Sequence, residues 1–174
     1  MEKDKIHIKF LMQGIYALVI FLSKEITLKI GNLGNHNFPS GYYIYTGSAL
    51  GKGSTSLKNR LTRHLRKEKQ RFWHIDYLLA NENASIEIII VAQTIEKKEC
   101  LLNKFLQRLE GTVVQVKGFG SSDCKNKCSA HLLFFPELRK KEFLVKKVVA
   151  HLNSEIGNQN VYVIYNEDLT SNQF

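Results

Sequence analysis

From Gly14 to Leu22 every residue after the glycine is apolar, with Tyr16, Leu18, Ile20 and Leu22 alternating against Ile15, Ala17, Val19 and Phe21. Successive side chains of a strand point to opposite faces. A strand apolar on both faces is covered on both sides, so this run predicts a central strand. Ser23-Lys24-Glu25 supplies a turn. Ile26, Leu28 and Ile30 alternate with polar residues and predict a half-exposed hairpin partner for that strand. Gly31 to Ser40 reads as a polar loop around Pro39. Gly41 to Thr46 predicts a third short strand, with Tyr43 and Tyr45 on one face and Tyr42 and Ile44 on the other.

Beyond Thr46 the period lengthens. Ser54-Thr55-Ser56 offers N-cap candidates for a helix running to about Lys69. Trp73 to Leu79 predicts a short helix closing near Asn81, and Ile86 to Val91 a buried strand. Glu96 to Leu109 is an amphipathic helix that Gly111 stops. Val113 to Val116 reads as a strand, Gly118 to Lys127 as a turn-rich loop, and His131 to Phe135 as extended chain. Past Pro136, a basic helix from Glu137 to Ile156 precedes a last strand, Val161 to Tyr165. Three strands followed by alternating helices and strands predict a mixed α+β fold.

A chain of 174 residues fits one domain with a real core. Its net charge of +9 is uneven. Between Lys52 and Arg71 eight Lys and Arg face a single acid, Glu68. Such a patch is the footprint of a polyanion, nucleic acid first and anionic membrane second, although a charge run can also be a solvated helix face. The apolar run Ile15 to Leu22 is too short to span a bilayer and has no cationic segment of a signal before it, so no membrane role is expected. Cys100, Cys124 and Cys128 are an odd count, which argues against a disulfide framework and for a reducing cytoplasm.

At about 100° per residue, Leu57, Leu61 and Leu65 form one stripe of the basic helix, and Arg60 and His64 lie on its border. Arg63 and Arg66 fall on the opposite, water-facing side. A border position can orient and partly desolvate a catalytic side chain, or simply let it snorkel. Glu99 sits likewise at the edge of the face made by Leu102, Phe105, Leu106 and Leu109, where a helix N-terminus favours a carboxylate in any case.

Several blocks in order carry a resemblance. They are Gly14-Ile15-Tyr16, Tyr43-Ile44-Tyr45-Thr46-Gly47 through Gly51, Arg60-Leu61 with Arg63-His64-Leu65-Arg66, Trp73 to Leu78, Glu99-Cys100, and Gly118 to Cys124 before Ser129-Ala130-His131-Leu132. Together they resemble the GIY-YIG nuclease superfamily, and more closely a prokaryotic family known as domain of unknown function 123, over roughly residues 14–135. The resemblance implies a small antiparallel sheet flanked by helices, with residues 1–136 as the nuclease-like domain and 137–174 as a helix-strand extension packed on it. It implies Tyr16, Tyr45, Arg60 and His64 as catalytic residues and Glu99 as the ligand of one Mg²⁺ or Mn²⁺. Some relatives carry the module fused to an endonuclease-three-type DNA glycosylase, which points to DNA repair by analogy.

Phosphodiester hydrolysis needs those residue types: an activated water, a cation over the developing charge and an open metal site. Arg60 offers a guanidinium fork suited to phosphate. Either Tyr45, if a cation lowers its phenol, or neutral His64 can serve as the base. Lys52, Lys58, Arg63, Arg66, Lys67, Arg71, Trp73 and His74 are the expected nucleic-acid contacts. The alternatives are a binding module that has lost hydrolysis, or an adaptor for a repair protein.

Three features are left. Cys124, Cys128 and His131, with Cys100 as a fourth, raise a zinc site, but their spacing is not that of a standard finger, and a turn with buried thiols is the preferred reading. Trp73 is expected to cap the core more than to stack on a base, while His74 and Asp76 can bond across a cleft. The C-terminal helix is expected to bury Leu144, Val148, Val149 and Leu152 and to expose Arg139, Lys140, Lys141, Lys146 and Lys147.

Overall fold

Strand β1 (Gly14–Leu22) is buried at every position except Phe21, as its two apolar faces require. The computed structural model describes residues 11–138 and 140–168, so Arg139 lies outside the described residues. β1 pairs antiparallel with β4 (Gly41–Ala49) on one side and β5 (Ala84–Gln93) on the other. β6 (Leu132–Phe135) extends the sheet beyond β4, and β7 (Val161–Tyr165) extends it beyond β5. The five-stranded order is β6-β4-β1-β5-β7, antiparallel throughout.

Two cores follow from that strand pattern. One face, with Tyr16, Leu18, Ile20, Tyr43, Tyr45 and Ile89, packs on α1 (Leu57–Leu65) and α2 (His74–Leu79) and on Phe38 and Phe119. The other, with Ile15, Ala17, Val19, Ile44, Ile88 and Leu133, packs on α3 (Glu99–Gln107) and α4 (Lys141–Ile156). The result is a three-layer α+β sandwich. In β5 the register against β1 jumps between Val19 and Ile20, leaving Glu87 unpaired in the ladder. This bulge re-aims Glu87 toward Lys141, with which it forms an ion pair at the start of α4.

The structure corrects several expectations. β2 (Ile26–Ile30) does not pair with β1: it forms a separate two-stranded sheet with β3 (Gly34–Phe38), which lies inside the expected polar loop. β1 is already saturated by β4 and β5, so the neighbouring hairpin has only itself to pair with. Val113 to Val116 is not a strand, and contributes one bridge from Val113 to Phe134. The basic helix stops at Leu65 because Lys69 reaches back to the carbonyls of Arg63 and His64, taking up groups left free at the helix end. Ser56 is its N-cap, accepting from the Asn59 amide. α3 begins at Glu99, not Glu96, and α4 at Lys141, not Glu137. α4 buries Val145 with Leu144, Val148 and Leu152, leaving Val149 partly covered. Among the described residues, no helix is long and apolar enough to cross a membrane.

Candidate functional site

β1 and β4 set the floor of the site, because their register places Tyr16 directly opposite Gly47. A Cβ built on Gly47 would lie 2.4 Å from the Tyr16 hydroxyl and 2.5 Å from its ring carbon, so only glycine lets the phenol cross the strand here. Tyr45, two residues earlier in β4, shares the face, and its ring lies 6.5 Å from that of Tyr16. Gly120, at φ +69, lets the loop before β6 close over Tyr45, since a Cβ there would fall 2.8 Å from the ring.

His64 arrives from α1. Its Nε2 is 2.8 Å from the Tyr16 hydroxyl, and it is buried in the core at 2% exposure, not poised at the helix border. Its Nδ1 has no hydrogen-bond partner among the described residues. Burial first, then Lys69, drive its pKa down to about 3, so the imidazole is neutral. Burial also raises the Tyr16 phenol well above its ordinary value, with Tyr45 adding to the effect. Tyr45 is pushed up to about 12 by burial, against which the Arg60 guanidinium pulls it down.

The helices supply the charges. Arg60 stacks its guanidinium over Trp73, 4.2 Å from the ring centre, and Arg63 lies 4.7 Å from the same ring. Arg63 does not face open water: it pairs with fully buried Asp76 at 2.6 Å. Asp76 also accepts from the Phe72 and Trp73 amides at the start of α2. Burial pushes the Asp76 carboxyl up, but these amides and Arg63 hold it below its ordinary value. Lys67 donates to the carbonyls of Leu79, Asn81 and Ala84. Two of the expected nucleic-acid contacts, Arg63 and Lys67, thus have partners within the fold, whereas Lys52, Arg66 and Arg71 are exposed and Lys58 half-exposed. His74 does bond across the cleft, accepting at Nδ1 from the Gly120 amide, while Asp76 caps its own helix.

Opposite these stands Glu99, first residue of α3 and 3% exposed. Its Oε1 is 3.7 Å from the Lys97 ammonium, and its Oε2, fully buried, has no hydrogen-bond partner among the described residues. Tyr16, Tyr45, Arg60, Trp73, His74 and Glu99 line one cleft of about 710 Å³, and His64 stands behind its wall. Such a cleft can hold a cation against a carboxylate and an anion against a guanidinium.

Four lining residues escaped the sequence reading: Phe72, Lys97, Lys125 and Asn126. Phe72 is 76% exposed and edge-on to Trp73. Its only sequence signal is an aromatic side chain in a basic loop with no helical or strand period to bury it.

The cysteines also differ from expectation. The donor atoms of Cys100, Cys124, Cys128 and His131 all lie within 4.8 Å of one another, so this cluster can hold a metal ion. Cys100 comes from α3, far from the others in sequence, which is why spacing in the loop alone understated the site.

The chain matches the family described as "Domain of unknown function DUF123" over residues 15–154. Neither a curated protein nor a solved structure matches it.

Proposed function

The chain belongs to the family of domain of unknown function DUF123, and from the cleft described above we propose that it is a divalent-metal-dependent endonuclease of the GIY-YIG kind, hydrolysing DNA phosphodiester bonds. The observation that carries this reading is the Glu99 carboxylate: buried, with one oxygen unpartnered, in the same cleft as two phenols and an arginine. A buried carboxylate oxygen without a hydrogen-bond partner is costly in the metal-free protein, and a hard cation is the ligand that would satisfy it. Glu99 would hold one Mg²⁺ or Mn²⁺, which when bound supplies Lewis-acid stabilisation of the phosphate.

The remaining roles belong to the chain itself. Arg60, fixed on the face of Trp73, presents its fork to a phosphate oxygen and opposes the charge that grows there. Tyr45 lines the cleft and orients the attacking water through its hydroxyl. His64 does not reach the cleft: its buried ring holds the Tyr16 hydroxyl in place, and its depressed pKa makes it a poor proton acceptor. Of the two base candidates only Tyr45 reaches the cleft, and burial keeps its phenol protonated, so it acts by orienting the water and not by deprotonating it. Lys52, Lys58, Arg66 and Arg71 offer phosphate contacts on the basic side, and exposed Phe72 offers a ring to an unstacked base. A role in DNA repair extends this reading by family resemblance.

The test is nicking of branched, damaged and flapped DNA with Mg²⁺ or Mn²⁺. Glu99→Ala and Arg60→Ala should each abolish cleavage while binding largely survives. Wild-type protein that binds DNA in a salt-dependent way but never cuts would leave a non-catalytic binding module. No salt-dependent binding to any nucleic acid would remove both readings.

A further inference from the structure

Outside the proposed chemistry stands a second group of converging donors: Cys100 Sγ, Cys124 Sγ, Cys128 Sγ and a His131 ring nitrogen. Cys100 Sγ is 3.5 Å from Cys124 Sγ and 3.9 Å from His131 Nε2. With zinc–sulfur bonds of about 2.3 Å and zinc–nitrogen bonds of about 2.0–2.1 Å, a tetrahedron has donor–donor edges of about 3.5–3.8 Å. With all four donors within 4.8 Å of one another, these two separations match that figure within a few tenths of an ångström. They are far too long for a disulfide, whose S–S bond is about 2.05 Å. An iron–sulfur cluster needs room for its own iron and sulfide atoms, which these short separations do not provide.

The surroundings hold the donors in place. Cys124 and Cys128 are joined by a turn in which Lys127 adopts φ +52, the one non-glycine residue with positive φ among the described residues. The Lys127 amide bonds the Cys124 carbonyl, folding Cys128 back toward Cys124. Nothing about lysine favours that conformation, so something beyond the turn must hold it. The His131 carbonyl accepts from the Thr46 amide at 2.9 Å, which ties the backbone of this donor residue to β4.

We infer that Cys100, Cys124, Cys128 and His131 bind one structural Zn²⁺ that clamps the loop before β6 onto the first turn of α3. Four protein donors close the coordination sphere, leaving no position for water or substrate, so the ion is a scaffold and not a catalyst. Because Cys100 follows Glu99 directly, the same ion fixes the helix start from which Glu99 enters the cleft. Zinc binding here requires no nuclease chemistry, and its readouts are metal content and loop protection.

Full-length protein purified under reducing conditions without chelator should carry about one zinc per chain by elemental analysis, released when a mercurial titrates its thiols. Cys128→Ser and His131→Ala should lose most of that zinc, while His131→Cys and Asp123→Asn should keep it. Should the depleted variants fail to fold, wild-type protein refolded with Co²⁺ provides the check, since tetrahedral thiolate ligation gives intense visible bands. Trypsin should cut at exposed Lys125 and Lys127 only after zinc is stripped. Wild-type protein that carries no zinc and gives no such cobalt spectrum, or one found with a Cys100–Cys124 disulfide and no metal, would overturn the inference.

Discussion

Replacing Glu99 by Gln should stabilise the metal-free protein and at the same time abolish its response to Mg²⁺. The Glu99 side chain is 4% exposed, and its Oε2 has no hydrogen-bond partner among the described residues. A buried neutral polar group left unsatisfied costs about 1–3 kcal/mol and a charged one more, and Gln keeps the first cost while losing the excess due to charge. Two effects offset this. Lys97 is 3.7 Å away but 60% exposed, so its pairing is screened and contributes at most about 1 kcal/mol. The helix N-terminus adds about 0.3–1 kcal/mol for a carboxylate at the first position of α3. The cost wins by about 1 kcal/mol, which for a chain of this size raises the melting midpoint of Glu99→Gln by about 2–4 °C. Mg²⁺ at about 100 times its Kd stabilises the wild type by about 2.7 kcal/mol, or about 5–11 °C, and should leave the variant unmoved. Calorimetry in metal-depleted buffer, with and without added Mg²⁺, measures both shifts. If Glu99→Gln melts several degrees lower and Mg²⁺ shifts both proteins equally, the carboxylate is a helix-capping group and the metal assignment fails.

Gly47→Ala should drive a methyl into the Tyr16 ring and cost about 1–3 kcal/mol in overpacking, seen as a fall in melting midpoint; an unchanged midpoint would contradict the close Tyr16–Gly47 contact. The pKa of His64 in the fold, about 3, lies below its ordinary 6.5, so the unfolded chain binds more protons between these values. Stability is therefore full above pH 6.5 and falls as pH drops toward 3, by up to about 1.4 kcal/mol per unit. His64→Gln should flatten that slope in urea titrations at pH 7 and pH 5, and equal losses in both proteins would speak against a buried neutral imidazole. Arg60→Lys keeps the charge but loses the fork and the stack on Trp73, so cleavage should drop about 10²–10³-fold with the salt dependence of DNA binding unchanged. Parallel losses in cleavage and binding would instead make Arg60 a general phosphate contact.

Period and local chemistry alone determined a good deal. The double-faced apolar run identified β1 as the central strand, because burial on both faces leaves no polar position along it. The tyrosine alternation in β4 put Tyr43 and Tyr45 on one face, and Ser56 marked the start of α1. These are properties of residues near one another in the chain. Pairing was decided elsewhere. β2 alternates as a partner of β1 should, yet β4 and β5 occupy both edges of β1, and a strand has only two edges to offer. Helical angle put His64 at a border, but the depth of that border depends on what packs above it, and Tyr16, Tyr45 and Trp73 close around the ring. Arg63 lost its water to Asp76, thirteen residues on, and Cys100 joined Cys124 across two elements. Sequence supplied the donors, the phenols and the charges. Only the tertiary fold decided which of them meet, because hydrogen bonds, ion pairs and metal coordination act over a few ångströms and are blind to separation along the chain.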